Sequence, residues 1–121
     1  SIAYQSHDVI KAMEKDAHQP IKKLKVDGGA SRNDFLMQFQ ADILNTEVVR
    51  PLISETTALG AAMLAGLAVG IYKNTADLSK VWKASQNFKP AMKEELRKEK
   101  LERWHMAIQA VTVFKTNNDE Q

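Results

Sequence analysis

A short glycine turn, Val26-Asp27-Gly28-Gly29-Ala30, is the stretch of this sequence whose residue types suggest chemistry. Successive backbone N–H groups at a glycine turn that leads into a helix form an anion site, and phosphate is its usual anion. The turn matches neither the Walker pattern, since no Gly-Lys-Ser/Thr follows, nor the dinucleotide pattern Gly-x-Gly-x-x-Gly. Taken alone, Asp-Gly-Gly is a weak signal, and a plain tight turn is the better interpretation of it.

Asp27 is an acid at a predicted strand end beside this turn, a position that suits a general base or an indirect magnesium ligand. We favour a third role for it, stabilisation of the turn. Arg50 is better placed for an ion pair than for phosphate. The remaining candidate carboxylates are scattered over different elements and are assigned no catalysis: Asp34, Asp42, Glu47 and Glu55.

The histidines and tryptophans carry no clear signature of a site. His7, His18 and His105 include no pair at i and i+4, so they do not predict a metal site. Trp82 and Trp104 lack a surrounding basic and aromatic stripe, which favours packing roles for both.

The turn needs a strand before it and a helix after it. Ile2–Gln19 shows apolar residues near helical spacing and is ended by Pro20, so it predicts a first helix. Lys23–Val26 alternates polar and apolar residues and predicts a short strand. Ser31 stands three residues before Asp34, an acidic variant of the capping box, and therefore predicts the start of a second helix at the turn.

The second helix carries two apolar stripes, so it is expected to be buried on more than one side. Thr46–Arg50, β-branched and followed by Pro51, predicts a second strand. A strand, a helix and a strand in this order predict a βαβ crossover with parallel strands. The two stripes are Leu36, Phe39 and Ile43, and Met37, Ala41 and Leu44.

Ser54 or Thr56 can cap a third helix, whose residues between Ala58 and Gly66 are mostly small. Close packing against another backbone is the favoured role of this face, and a subunit contact is the alternative. A short helix is expected at Ala76–Val81 and a loop at Ser85–Pro90.

A last helix is expected at about Ala91–Phe114, followed by a frayed tail at Lys115–Gln121. One face of this helix is apolar, and the charged residues on its other side include pairs four apart in the favourable order. The apolar face comprises Leu101, Trp104, Ile108 and Val111, and the pairs are Glu94 with Lys98 and Glu99 with Arg103.

The composition, 121 residues with 44% hydrophobic and 26% charged, predicts one globular domain. The formal charge of +2, with basic and acidic residues interspersed, gives no indication of nucleic-acid or membrane binding. The apolar run from Ala58 to Val69 is shorter than the roughly 18 to 20 residues of a membrane span. The chain has no cysteine and no secretory signal pattern, so a cytoplasmic location is the default, and the absence of an initial Met suggests a processed or excised piece.

Four stretches resemble, in order and spacing, successive signatures of glycerol kinases, which belong to the FGGY group of sugar kinases. The resemblance spans about residues 1 to 114 and is strongest between Leu24 and Gly70. It implies an α/β segment of an actin-like, ribonuclease-H-like fold, namely the C-terminal portion of the nucleotide-binding lobe. The stretches are Leu24–Ala30, Leu36–Leu44, Val49–Pro51 and Thr56–Ala62.

The resemblance implies that Gly29 lies by the phosphates of ADP or ATP and that Asn33 contacts the nucleotide from the first turn of the helix. Asp27, Gly28 and Ala30 would shape the turn. The implied reaction is transfer of the γ-phosphoryl group of Mg-ATP to glycerol, in a full-length enzyme expected to be a homo-oligomer.

In the family the base and the glycerol-binding residues lie upstream of the matched segment, so the chain alone is expected to be inactive. Another FGGY polyol or sugar kinase and a non-catalytic interaction module with the same fold are the alternatives. Because two parallel strands make a small sheet, we also expect marginal or partner-assisted folding.

Overall fold

The computed structural model describes residues 1–53, 56–79 and 84–118. Five helices and three strands lie within these ranges. The helices are α1 (Ile2–Ala17), α2 (Asp34–Leu44), α3 (Thr56–Ala68), α4 (Thr75–Ser79) and α5 (Glu94–Asn118), and the strands are β1 (Lys23–Lys25), β2 (Glu47–Pro51) and β3 (Ala84–Phe88). A 3₁₀ turn, Gly29–Arg32, stands between β1 and α2.

The sheet has the strand order β1-β2-β3. β1 pairs with β2 in parallel, with Leu24 opposite Val48, which confirms the predicted βαβ crossover. β3 pairs with β2 in the antiparallel direction, with Val48 opposite Phe88 and an irregularity between Arg50 and Pro51. The predicted loop at residues 85–90 is therefore wrong over its first four residues, since this segment adds a third strand to the sheet.

The main core cluster lies between α2 and the sheet. Residues of α2, β2 and β3 form one buried cluster, against which residues near β1 also pack. α2 is the interior helix that its two stripes predict, although Phe35 at its start is exposed. The cluster comprises Met37, Ala41, Val48 and Phe88, with Leu24, Val26 and Leu36 packed against it.

α3 differs from the expectation of close packing. All residues of α3 are described, and Gly66 alone among them is buried. Leu64 is 68% exposed, so the described part of the chain leaves most of this helix uncovered, and Gly66 is buried against Tyr72. The predicted cap Ser54, together with Glu55, Val81 and Trp82, lies outside the described residues.

α5 confirms both predicted ion pairs, Glu94 with Lys98 and Glu99 with Arg103. Its predicted apolar face is packed near Trp104, which stacks on Tyr4, whereas Val111 is 71% exposed. The helix continues to Asn118, past the predicted end. Among the helices within the described ranges, none combines the length and apolarity that crossing a bilayer requires.

Candidate functional site

The glycine turn leaves β1 at the end where the parallel strands finish. Gly28 has φ 80° and ψ 178°, a conformation that L side chains rarely adopt. Its carbonyl oxygen accepts two hydrogen bonds from Ser31, one from Oγ at 2.7 Å and one from the backbone N–H at 3.2 Å. Since Ser31 is only 2% exposed, the turn is anchored from its buried side.

Asn33 is the N-cap of α2. Its Oδ1 accepts a hydrogen bond of 3.0 Å from the backbone N–H of Leu36, and its own N–H donates to the Ala30 carbonyl. The prediction that Ser31 caps this helix and that Asn33 lies in its first turn is therefore wrong. The 3₁₀ turn Gly29–Arg32 comes first, so the α-helix starts at Asp34, two residues later than a Ser31 cap would place it.

The space beside the two glycines is open. A Cβ atom added at Gly28 or Gly29 would meet no other atom within 4 Å. Gly29 also lacks the positive φ of Gly28, so nothing in the chain's own packing requires glycine there. A second molecule can therefore approach the backbone of this turn closely.

Asp27 lies beside a cleft of about 240 Å³ at the carboxyl ends of β1 and β2. In open α/β sheets ligands bind outside the carboxyl ends of the strands. One oxygen of Asp27, Oδ2, accepts a hydrogen bond from the hydroxyl of Thr56 at the start of α3. Asp27 thus joins the end of β1 to α3 at the wall of this cleft. The lining residues are Lys25, Val26, Asp27, Pro51 and Thr56.

Arg50 on β2 makes the ion pair that the sequence predicted. Its Nη1 lies 2.7 Å from Oδ1 of Asp34 and donates a 2.9 Å hydrogen bond to the Ser31 carbonyl. Its Nη2 donates to Oε1 of Gln86 at 2.5 Å, and the guanidinium lies 5.4 Å from the centre of the Phe88 ring. The contacts to Gln86 and Phe88 were missed because the third strand was predicted as a loop.

A second polar cluster joins α1 to α5, remote in sequence from the turn. Asp8 Oδ2 accepts a 2.8 Å hydrogen bond from Trp104 Nε1, while Oδ1 lies near His7 and His105. Burial raises the pKa of Asp8, but the hydrogen bonds from Trp104, His7 and His105 outweigh burial and hold it below its ordinary value. His18, by contrast, is the left-handed C-cap of α1. Within residues 1–53, 56–79 and 84–118, no three His, Asp or Glu side chains gather as metal ligands would.

Comparison with known proteins defines the class. The model of the "FGGY family of carbohydrate kinases, C-terminal domain" matches residues 1–69. This match covers more than half of the chain, and the chain therefore belongs to the FGGY family of carbohydrate kinases.

Individual relatives agree with this assignment. The chain is 56% identical over 109 residues to the glycerol kinase of Dechloromonas aromatica (strain RCB), covering 90% of this chain and 22% of the relative. It is 52% identical over 116 residues to the glycerol kinase of Janthinobacterium sp. (strain Marseille), covering 96% of this chain and 23% of that protein. The chain thus spans less than a quarter of the length of these relatives.

Solved structures show the same fold. Plasmodium falciparum glycerol kinase with ADP superposes with a TM-score of 0.79 at 32% identity, over 90% of this chain and 22% of that one. A xylulose kinase from Lactobacillus acidophilus superposes with a TM-score of 0.75 at 23% identity, over 93% of this chain and 23% of that one. These matches confirm the expected α/β segment of an actin-like, ribonuclease-H-like fold.

Proposed function

We propose that this chain is the C-terminal, nucleotide-side segment of an ATP-dependent glycerol kinase, an enzyme that converts ATP and glycerol to ADP and glycerol 3-phosphate. The observation that carries the proposal is the open glycine turn at Gly28 and Gly29. This turn lies in a chain 52% to 57% identical to glycerol kinases. An FGGY kinase for another polyol or sugar has weaker support, because those structural matches lie at 23% to 24% identity.

In this proposal the turn binds the phosphates of ATP or ADP. The backbone N–H of Gly29 donates to a phosphate oxygen, for which the open space beside the residue leaves room. Gly28 supplies the positive φ that turns the chain, and Asp27 fixes the cleft wall through Thr56. Asn33 uses its Oδ1 for the helix cap, so Nδ2 is the atom of this side chain that we assign to the nucleotide.

In this proposal Mg²⁺ binds together with ATP or ADP. Mg²⁺ in kinases is commonly held by substrate phosphates and one or two carboxylates, and it neutralises charge on the phosphates. Among the described residues that line the cleft, Asp27 is the one carboxylate, and its second oxygen, Oδ1, can face a hydrated ion while Oδ2 accepts from Thr56.

Turnover requires more than this turn. Phosphoryl transfer depends on holding the attacking hydroxyl, the metal and the γ-phosphate together, and we assign neither a base nor a glycerol contact to this chain. We therefore propose that the chain alone binds nucleotide without phosphorylating glycerol. A cytoplasmic, homo-oligomeric enzyme is the setting that we propose for the whole protein.

An amide-resolved NMR titration of the chain with Mg-ADP tests the binding role. We expect dispersed peaks, with shifts centred on Gly28, Gly29 and Asn33. Gly29→Ala should keep the spectrum of the free chain, because its Cβ meets no atom of the protein. It should weaken binding by about tenfold or more, because the added methyl group occupies the open space through which a phosphate reaches the backbone N–H, and obstructing that approach costs one hydrogen bond to a charged group. Gly60→Ala is the matched control, because its Cβ also meets no neighbour and it lies on α3.

A chimera tests the enzymatic role. This chain would replace the matching segment of the Dechloromonas aromatica glycerol kinase, to which it is 56% identical. We expect ATP-dependent phosphorylation of glycerol, with KM for ATP raised by Gly29→Ala and KM for glycerol unchanged. A folded but inactive chimera, together with a chain whose spectrum ignores Mg-ADP, would instead support a non-catalytic interaction module.

A further inference from the structure

Arg50 connects three parts of the chain at the glycine turn. Its Nη1 contacts the Ser31 carbonyl at the end of the 3₁₀ turn and the Asp34 carboxylate at the start of α2. These two contacts bracket Asn33 in sequence. The segment from Gly29 to Asn33 is therefore held to β2 by one side chain, and that side chain is only 18% exposed.

The guanidinium is itself fixed from the opposite side. Gln86 on β3 accepts from Nη2 at 2.5 Å, and the centre of the Phe88 ring lies 5.4 Å from the guanidinium carbon. Phe88 is 5% exposed and belongs to the core cluster. Because the planar guanidinium offers five donors in a rigid fork, it can serve both sides at once, whereas a lysine ammonium lacks this geometry.

The ion pair also removes a charge that would oppose phosphate. Asp34 lies in the first turn of α2, where a carboxylate and a phosphate compete for the same positive helix end. Its side chain is 65% exposed, so an unpaired carboxylate there would repel an incoming nucleotide. Arg50 neutralises this carboxylate at 2.7 Å.

We propose that Arg50 is a positioning residue for nucleotide binding: it fixes the spacing between Gly29 and Asn33 and cancels the charge of Asp34. The proposal rests on the proposed function, because it concerns the same turn. Arg50 does not touch the nucleotide in this scheme and acts through Ser31 and Asp34.

The test uses the chain for Mg-ADP binding and the Dechloromonas aromatica chimera for kinetics, with the variants Arg50→Lys, Arg50→Gln and Arg50→Gln/Asp34→Asn. The matched control is Arg97→Lys. Arg97 also ties elements together by donating to carbonyls, those of Asp42 and Met92, but it joins α5 to the distal half of α2.

We expect Arg50→Lys to weaken Mg-ADP binding and to raise KM for ATP by about tenfold, since it loses hydrogen bonds that position the turn. KM for glycerol should stay unchanged. Arg97→Lys, compared at equal folded fraction, should change KM for ATP by less than about twofold. In the free chain, Arg50→Lys should shift the amides from Gly28 to Asn33, and Arg97→Lys should not.

The double variant Arg50→Gln/Asp34→Asn separates the two effects proposed for Arg50, fixing the turn and cancelling the charge of Asp34. Arg50→Gln should bind nucleotide worst, because the Asp34 charge is left unpaired, and adding Asp34→Asn should recover part of the affinity. If Arg50→Lys binds Mg-ADP and uses ATP as Arg97→Lys does, the positioning role is wrong while the proposed function stands. If the unmodified chain ignores Mg-ADP and the unmodified chimera is inactive, the proposed function fails and this inference fails with it.

Discussion

The indole Nε1 of Trp104 donates a 2.8 Å hydrogen bond to Oδ2 of Asp8, and this bond joins the first helix of the chain to the last. The Trp104 ring also stacks on Tyr4, with ring centroids 5.3 Å apart. His7 and His105 lie 3.2 Å and 3.4 Å from the other carboxylate oxygen of Asp8. The Asp8 carboxylate therefore has polar partners on both α1 and α5.

This arrangement predicts a pH dependence of stability. The pKa of Asp8 in the folded chain lies below its ordinary value of 3.8, so its ionised form is favoured by folding. A group with a depressed pKa contributes stability above its unfolded pKa, and the contribution is lost as pH falls through the folded pKa. We expect Asp8→Asn to lower stability at neutral pH and to flatten the decline below about pH 4.

Urea denaturation at several pH values measures this effect. Trp104→Phe is the companion variant, because it keeps an aromatic ring beside Tyr4 and removes the indole donor. It should raise the pKa of Asp8 and reduce the acid-induced loss. An unchanged pH profile in Asp8→Asn would show that other carboxylates govern the acid transition.

Asp42 should stabilise the junction between β3 and α5 through its hydrogen bonds. Its Oδ1 accepts hydrogen bonds from the backbone N–H groups of Ala91 at 2.6 Å and Met92 at 3.1 Å. Gln38 Nε2 donates to the same oxygen at 3.1 Å. Asp42→Ala removes the charged acceptor of the two backbone N–H groups, whereas Gln38 Nε2 still donates to the Lys89 carbonyl, and we expect a loss of about 1 to 3 kcal/mol in the free energy of unfolding.

Asp42→Asn is the matched variant for this junction, because its amide keeps one carbonyl oxygen and loses the charge. Its loss should be smaller than that of Asp42→Ala. Both values come from urea denaturation at neutral pH. Equal losses in the two variants would attribute the effect to charge instead of to the hydrogen bonds at Ala91 and Met92.

Gly28 and Gly29 should differ in how well they tolerate replacement by alanine. Gly28→Ala places a side chain at φ 80° and should cost about 1 to 2 kcal/mol of stability. Gly29 does not have a positive φ, and a Cβ added there has no neighbouring atom within 4 Å. Gly29→Ala should therefore change the free energy of unfolding by less than about 0.5 kcal/mol. Denaturation without nucleotide measures both, and equal costs would contradict the turn geometry.

The parallel part of the fold could be predicted because its signals are local. Lys23–Val26 alternates, Thr46–Arg50 is β-branched, and the helix between carries two apolar stripes. β3 could not be recognised in the same way, because Ala-Ser-Gln-Asn-Phe is mostly polar and shows no apolar alternation; Phe88 is its described contribution to the core. Its strand conformation comes from pairing with β2, a tertiary interaction that propensity does not report.

The site shows the same division between local and long-range information. The glycine turn and the ion-pairing role of Arg50 followed from residue types. The helix start was misplaced, because Ser31 and Asn33 are both good caps and the sequence does not show that Ser31 turns inward to Gly28. The partner of Asp27, Thr56, lies 29 residues away, and such a contact depends on how α3 meets the sheet.

Replacement by alanine should have opposite effects on stability at the two glycines of α3, Gly60 and Gly66, because their surroundings differ. Gly60 has no atom within 4 Å of an added Cβ, so Gly60→Ala should stabilise the chain by about 0.5 to 1 kcal/mol through helix propensity. At Gly66 the added Cβ would lie 2.7 Å from two ring carbons of Tyr72. The Gly66 carbonyl also accepts from the N–H groups of Ile71 and Tyr72, which hold that ring in place.

Gly66→Ala must therefore displace Tyr72, and we expect a net loss of about 1 to 3 kcal/mol, as in other overpacked sites. Urea denaturation gives both free energies, and the NMR signals of the Tyr72 ring report the displacement. Both variants gain the same helix propensity, so the difference between their free energies of unfolding measures the cost of displacing Tyr72. Stabilisation by both would mean that the ring moves aside without cost and that the end of α3 is loosely packed.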